Sequence, residues 1–112
     1  MTDTCDWIGA SGMRYTYWIY ALPANLNASQ NGNYIFAKVF SNQWVPIYIG
    51  QGDLGDRLDN HHQAACIRSK GATYFHAHKN ESEKARRAEE QDLLANYTMA
   101  YSPAACNLKL GG

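Results

Sequence analysis

Alternating apolar positions predict a β-hairpin in the centre of the chain. Its first strand covers residues 33–40 and its second residues 44–50, separated by the turn Ser41-Asn42-Gln43. Aliphatic side chains occupy the odd positions of both strands: Ile35, Ala37, Val39, Val45, Ile47 and Ile49. Because successive side chains of a strand point to opposite faces, we expect these odd positions to face a core. The same alternation places Tyr34 and Tyr48 on the other face, where a suitable register brings them together.

Two more strands are predicted outside this hairpin. Residues 14–22 are rich in aromatic and β-branched side chains, which are typical of strands. Residues 73–78 form the second, with His76 and His78 on one face. The aromatic side chains of the first strand either pack in a core or at an edge, or form a surface on which nucleobases stack. They are Tyr15, Tyr17, Trp18 and Tyr20.

A helix is predicted between an Asp53 cap and about Ser69, with Gly71 just beyond its end. Its apolar stripe consists of Leu54, Leu58 and Ala65. Arg57 and His61 are four residues apart and therefore project together at the edge of that stripe. Such a half-buried edge suits a cleft, in which an arginine can hold phosphate oxygens and a histidine can accept a proton or orient a hydroxyl.

A second helix is predicted from the spacing of Glu90, Leu93, Leu94 and Tyr97, with Asn80 and Glu83 in an amino-terminal capping arrangement. Glu90 therefore points where the apolar side chains point. Burying an unpaired carboxylate is costly, so this group needs a partner, a proton or a metal ion. Arg86, one turn earlier, is the alternative to a metal. Glu89 lies about 100° away around the helix and is the weaker candidate.

Composition fits one soluble domain without a strong overall charge. The 112 residues carry ten basic and ten acidic side chains, so the chain lacks the basic balance that often marks nucleic-acid binding. Residues 68–87 nevertheless hold six cations against Glu81 and Glu83, a local balance of +4. The cations are Arg68, Lys70, Lys79, Lys84, Arg86 and Arg87. They either attract a phosphate backbone or form a solvated helix surface.

The amino terminus has no secretory pattern and no stretch is long enough to span a membrane, so a cytoplasmic protein is expected. Three cysteines without a Cys-x-x-Cys pair are expected to be reduced thiols. A zinc site remains the alternative chemistry, built from His76 and His78 with Cys66 or His62. We expect the strand histidines to be solvated instead.

Several short motifs occur in a defined order along the chain. They are Gly32-Asn33-Tyr34, Tyr48-Ile49-Gly50, the run from Arg57 to His61, the run from Glu90 to Tyr97, Pro103 and Asn107. This series resembles the GIY-YIG nuclease domain over residues 32–107. The chain departs from the family pattern in the spacing from Pro103 to Asn107, which is one residue longer than the common form, and at Gln51, where some members carry a lysine.

The resemblance implies an α+β fold, with a small antiparallel sheet of about three core strands and an extra N-terminal strand, flanked by helices. Residues 32–112 would form the nuclease-like domain, and residues 1–31 an N-terminal strand and loop of the same compact unit. It also implies a catalytic set of Tyr34, Tyr48, Arg57, His61, Glu90 and Asn107. Glu90 would bind one Mg²⁺ or Mn²⁺ ion.

The expected reaction is metal-dependent hydrolysis of phosphodiester bonds by an endonuclease. A tyrosine would activate the attacking water, with Tyr34 the first choice and Tyr48 the second. DNA is the expected partner, with contacts from Arg68, Lys70, Arg86 and Arg87, while RNA stays open and no membrane is expected. The alternatives are a noncatalytic nucleic-acid-binding module on the same fold, and a small protein-interaction or metal-stabilised domain.

Overall fold

The structure, a computed structural model, describes residues 3–27 and 29–108. Its strands are β1 (Thr4–Ile8), β2 (Arg14–Ala21), β3 (Asn31–Phe40), β4 (Gln43–Asp53) and β5 (Tyr74–Lys79). Its helices are α1 (Leu54–Asp59), α2 (Ala64–Ser69) and α3 (Glu83–Asn96), followed by a 3₁₀ turn (Thr98–Ala100). The predicted segments 1–31 and 32–112 include residues 1, 2, 28 and 109–112, which lie outside the described residues.

The strands form one antiparallel sheet in the order β1-β2-β5-β3-β4. The predicted α+β class with an antiparallel sheet is therefore confirmed. The amino-terminal segment supplies two strands where one was expected, and β2 joins the sheet by pairing with β5. Among the described residues no helix is long and apolar enough to cross a membrane.

The predicted hairpin forms, but a β-bulge changes which face its side chains occupy. Ser41 and Asn42 have φ angles of 52° and 61°, as a two-residue hairpin turn requires. Phe36 pairs with Tyr48 while Ala37 pairs with Pro46, which leaves Ile47 as the extra residue of β4. Ile47 therefore packs beside Tyr34 and not with Ile49, so the prediction that all odd positions share one core is wrong here.

Helices cover both faces of the sheet, and a separate hydrophobic core lies on each face. The cluster under α1 and α2 contains Tyr34, Phe36, Ile47, Leu54, Ile67 and Phe75. The cluster under α3 and the 3₁₀ turn contains Trp7, Tyr17, Ile35, Ala37, Ile49 and Leu93. Full burial of one such side chain contributes about 1.5–3 kcal/mol. Strand β3, which lies between β5 and β4, is thus packed on both faces, which fixes the position of Tyr34.

The aromatic side chains of β2 mostly pack in these cores. Tyr17 is fully buried, Tyr15 packs at the margin of the α3 side, and Tyr20 packs at the margin of the other. Trp18 is the exception, with 57% of its surface exposed.

The single helix predicted from Asp53 to Ser69 is instead two short helices. Asp53 caps α1 as predicted, since its side chain accepts a hydrogen bond from the Asp56 backbone at 3.0 Å. The helix then ends at Asn60, and the Gln63 backbone N–H donates to Nδ1 of His61 at 2.9 Å. Such a local side-chain bond to the backbone competes with helix formation. His61 therefore lies in a loop, and Ala65 is exposed instead of lying on the apolar stripe.

Two of the three cysteines are bonded to each other. Cys66 of α2 forms a disulfide with Cys106 of the carboxy-terminal segment, 40 residues further along the chain. The prediction of three reduced thiols is therefore wrong for this pair. Cys5 is a free, partly buried thiol, and burial raises its pKa to about 11.

Candidate active site

Three of the predicted catalytic side chains meet on the α1 side of the sheet. The rings of Tyr34 and Tyr48 are stacked, with centroids 6.0 Å apart and planes 11° apart. The imidazole of His61 meets Tyr48 edge-on at a centroid distance of 4.4 Å. Its Nε2 lies 2.6 Å from the hydroxyl oxygen of Tyr34. Strands β3 and β4 supply the tyrosines, and the loop after α1 supplies the histidine.

The direction of the Tyr34–His61 hydrogen bond follows from the other ring nitrogen. Nδ1 of His61 accepts the Gln63 backbone N–H, so Nδ1 carries no proton. Burial lowers the pKa of His61 to about 4, with further lowering by the charges of His62 and Arg57, so the ring is neutral near neutral pH. A neutral ring then carries its proton on Nε2, which donates to the Tyr34 oxygen. Of the two predicted roles for His61, this geometry suits orientation of the phenol.

Two glycines of β4 leave room for the site. A Cβ at Gly50 would lie 2.6 Å from the Tyr34 hydroxyl oxygen and 2.9 Å from the Tyr48 ring. A Cβ at Gly52 would lie 2.8 Å from Nε of Arg57. Because both positions lack a side chain, the phenol and the guanidinium rest directly against the β4 backbone. The Gly of Tyr48-Ile49-Gly50 is therefore required by packing.

Arg57 and Glu90 both act electrostatically on the two phenols. Burial raises the pKa of Tyr34 and of Tyr48. The Glu90 carboxylate raises both pKa values further, and the Arg57 guanidinium opposes the rise in both. Arg57 is 40% exposed in its side chain, and its nearest carboxylate partner is Asp56 at 3.9 Å. The guanidinium thus remains partly exposed to solvent.

Glu90 lies on α3 at the edge of the buried face. Its half-burial raises the pKa of its carboxyl group, an effect that Arg87 opposes. The alternative ion pair with Arg86 does not form. Nε of Arg86 donates to the Gln51 side chain and Nη1 to the Asn80 carbonyl, both at 3.0 Å.

The Glu90 carboxylate suits a single hard cation that has one protein ligand, and not a metal held by several protein side chains. Within residues 3–27 and 29–108, no group of three or more His, Cys, Asp or Glu side chains converges as metal ligands. Glu90 offers oxygen donors, and a cation would relieve the desolvation that raises its pKa. Mg²⁺ is often held by one carboxylate, with waters and substrate phosphate completing its shell. The residues present therefore fit one ion anchored on Glu90.

Asn107 is buried and joins the carboxy-terminal segment to β4. Its side chain accepts from the Ile49 backbone N–H at 2.8 Å and donates to the Ile49 carbonyl at 2.9 Å. Ile49 lies between Tyr48 and Gly50, so Asn107 holds the strand that carries the site. Both side-chain bonds of Asn107 are thus made to the backbone of β4.

The four predicted nucleic-acid contacts do not share one surface. Arg68 is exposed at α2, and Nζ of Lys70 donates to the Pro103 carbonyl at 2.9 Å. Arg87 is exposed and pairs with Glu83 at 2.8 Å. Arg86 is only 8% exposed, which leaves little of it accessible to a phosphate. Of the four, Arg68 and Arg87 are exposed, Lys70 is partly exposed and Arg86 is buried.

The helix spacing pointed to Glu90 as the buried carboxylate of α3, whereas Glu89 is the more deeply buried of the two. Glu89 accepts from the Tyr17 hydroxyl and contacts Nδ1 of His78 at 3.0 Å. This network lies on the face opposite Tyr34. The sequence could indicate this network only through the pairing of Tyr17 with residues of β5. That pairing can be read only when the register between β2 and β5 is known.

The zinc alternative does not assemble. Cys66 is bonded to Cys106, and His62 stacks on His61 at 4.6 Å. His76 is fully buried on the opposite face, where Nδ1 accepts from Trp7 at 3.0 Å, so the expectation of solvated strand histidines is wrong for it. Burial lowers the pKa of His76 to about 4.

Comparisons with protein-family models, with curated proteins and with solved structures give no match to this chain.

Proposed function

We propose that this protein is a metal-dependent endonuclease of GIY-YIG type that hydrolyses phosphodiester bonds, with DNA as its substrate. The observation that carries the proposal is the Tyr34–His61 hydrogen bond beside Tyr48, with the charges of Arg57 and Glu90 acting on both phenols. A cation, a carboxylate and two phenols around one site suit the chemistry of a phosphate diester.

Arg57 binds a nonbridging oxygen of the scissile phosphate. Its planar guanidinium offers paired donors, which match phosphate geometry and stabilise the charge that develops during attack. It is partly exposed and rests against Gly52, so a phosphate can approach without displacing a strong ion pair. Glu90 would hold one Mg²⁺ or Mn²⁺ ion through its carboxylate oxygens. Such an ion would supply positive charge against the phosphate and the leaving oxygen.

A tyrosine takes the proton of the attacking water. Tyr34 is the first choice, because the Nε2–H of His61 donates to its oxygen and so favours the phenolate. Tyr48 is the second choice and has better access, since it is half-buried while Tyr34 is 1% exposed. Burial raises the pKa of both phenols, and the positive charge of Arg57 opposes that rise and so favours ionisation.

The same pKa values support a second candidate, a noncatalytic nucleic-acid-binding module. Burial of both phenols favours their neutral forms, which cannot take a proton from water. Such a module would use Arg57 and Arg68 to bind a phosphate backbone without cleaving it.

Cleavage assays separate the two candidates. Purified protein is incubated with supercoiled DNA, branched DNA and RNA, each with Mg²⁺ or with a chelator. Nicking that requires the metal and is lost in Arg57→Ala supports the nuclease. Arg14→Ala is the matched control. Arg14 is an exposed arginine that pairs with Asp6, and both residues lie on strands distant from the candidate site. Retained binding without cleavage of any substrate supports the noncatalytic module.

A further inference from the structure

We propose that the cavity between α1, α2 and the loop after β2 binds an unpaired nucleobase next to the scissile link. The inference rests on the proposed function and names the substrate feature that this site recognises. The cavity has a volume of about 390 Å³, within the range of small-ligand sites. Its lining includes the apolar side chains Leu22, Phe36, Leu58 and Ile67.

One residue connects this cavity to the candidate active site. His61 lines the cavity, and its Nε2 donates to the Tyr34 hydroxyl. The ring also meets Phe36 edge-on at a centroid distance of 5.7 Å. A planar ligand in the cavity would therefore lie one imidazole ring away from the reacting groups. A base attached to the sugar beside the scissile phosphate satisfies that spacing.

The mouth of the cavity carries one charge of each sign. Asp59 and Arg68 line it, and both are exposed. A guanidinium at the mouth suits the phosphate that follows the base. A carboxylate at the mouth accepts hydrogen bonds from an exocyclic amino group, as on adenine, cytosine or guanine. A purely apolar ligand would use neither group, whereas a nucleotide uses both together with the apolar wall.

The wall nearest the amino terminus comes from outside the region that resembles the nuclease domain. Leu22, Pro23 and Ala24 of the loop after β2 contribute it. The extra strands therefore have a specific consequence, because they bring this loop over the cavity. We assign the amino-terminal segment a part in substrate selection.

A pair of alanines on α2 provides the test. Ala64 lines the cavity, while its neighbour Ala65 is exposed and does not line it. Ala64→Phe fills the space, and Ala65→Phe adds the same ring to the surface. Binding is measured without cleavage, in Ca²⁺, using a DNA duplex that carries one unpaired 2-aminopurine, whose fluorescence reports its stacking.

We expect wild-type protein and Ala65→Phe to bind the bulged duplex alike and to change the 2-aminopurine fluorescence. Ala64→Phe should abolish that change and weaken binding by at least about fivefold, the lower end for loss of one stacked base. Arg68→Ala should weaken binding and lower the salt dependence by about one phosphate contact. Asp59→Asn should reduce the preference for 2-aminopurine over an unpaired thymine.

The outcomes distinguish this inference from the proposed function. Equal binding by Ala64→Phe and Ala65→Phe overturns the cavity assignment, even if wild-type protein cleaves DNA. Selective loss in Ala64→Phe supports it, even if no cleavage is ever seen. Should Ala64→Phe fail to fold, the surface variants decide the matter: unchanged affinity and base preference in both Arg68→Ala and Asp59→Asn overturns the assignment. Absence of any bulge-dependent binding by wild-type protein overturns it as well.

Discussion

Nε2 of His61 donates a hydrogen bond to the hydroxyl oxygen of Tyr34, across 2.6 Å, because Nδ1 of the same ring is an acceptor for the Gln63 backbone. The phenol oxygen is thereby polarised, while its own proton is not used in this bond. A fixed donor to the oxygen favours the phenolate form. The pair therefore links the fold directly to the proposed chemistry.

The rate of cleavage should depend on pH. The pKa values of Tyr34 and Tyr48 are raised, so at neutral pH only a small fraction of either phenol is ionised. Below its pKa, the ionised fraction of a tyrosine grows about tenfold per pH unit. Single-turnover rates in Mg²⁺ should therefore rise steadily from about pH 6.5 to 8.5.

Phenylalanine variants identify which tyrosine is the base. Tyr34→Phe should lower the rate by roughly 10²-fold or more and flatten the pH profile, whereas Tyr48→Phe should keep the slope. The reverse pattern would assign the base to Tyr48. A wild-type rate that does not change above pH 7 would exclude a tyrosine base.

Asn107 should stabilise the strand that carries Tyr48. Asn107→Asp keeps the shape but loses the donor to the Ile49 carbonyl and places a carboxylate oxygen against it. We expect a loss of about 1–3 kcal/mol in the free energy of unfolding, measured by urea denaturation. Asn96→Asp is the control, because it removes one exposed amide donor to the Ile8 carbonyl and should cost less. Equal losses in the two variants would contradict this role.

Local signals in the sequence were sufficient for the caps, turns and strands that depend on a few neighbouring residues. The Asp53 cap, the Ser41-Asn42 turn and the alternation of β3 depend on neighbours along the chain. The break between α1 and α2 was missed because a periodic pattern does not report the bond from Gln63 to His61. The prediction that Ile47 shares a face with Ile49 is wrong because of the β-bulge in β4, and the bulge depends on the register with β3.

The site was predictable to the extent that motif order reflects proximity. The spacing placed Tyr34 and Tyr48 together, and the stacked rings agree with it. The pairing of Cys66 with Cys106 joins residues 40 positions apart, and no local pattern encodes it. The burial of Arg86 and Glu89 likewise follows from how α3 rotates against the sheet, which apolar spacing alone fixes only to within one residue.

Acid should destabilise the fold between pH 6.5 and 4. Burial lowers the pKa values of His61 and His76 to about 4, below the value near 6.5 of an unfolded histidine. The folded state therefore favours the neutral rings, and this stability is present above pH 6.5 and lost as the pH falls towards 4. The loss should reach roughly 2–3 kcal/mol for each histidine.

Urea denaturation at pH 7, 5.5 and 4.5 measures this loss. His76→Gln, which removes one titrating ring and can keep an acceptor for the Trp7 indole, should show a shallower dependence on pH. Equal stability of the wild-type protein at pH 7 and 4.5 would contradict the burial of both rings.

The disulfide should stabilise the fold under oxidising conditions. Cys66 and Cys106 close a loop with a sequence separation of 40, which restricts the unfolded chain. Reduction, or replacement of both cysteines by alanine, should lower the free energy of unfolding by about 2–4 kcal/mol. Cys5→Ala should leave the effect of the reductant unchanged. Three titratable thiols in unreduced, denatured protein, instead of one, would contradict the bond.

The most direct measurement of the central claim is Mg²⁺-dependent nicking of supercoiled DNA by wild-type protein and by Glu90→Ala. Glu81→Ala is the control, since it removes an exposed carboxylate just before α3. The account predicts nicking by the wild type and by Glu81→Ala, and its loss both in Glu90→Ala and in chelator. Nicking by Glu90→Ala at the wild-type rate would contradict it.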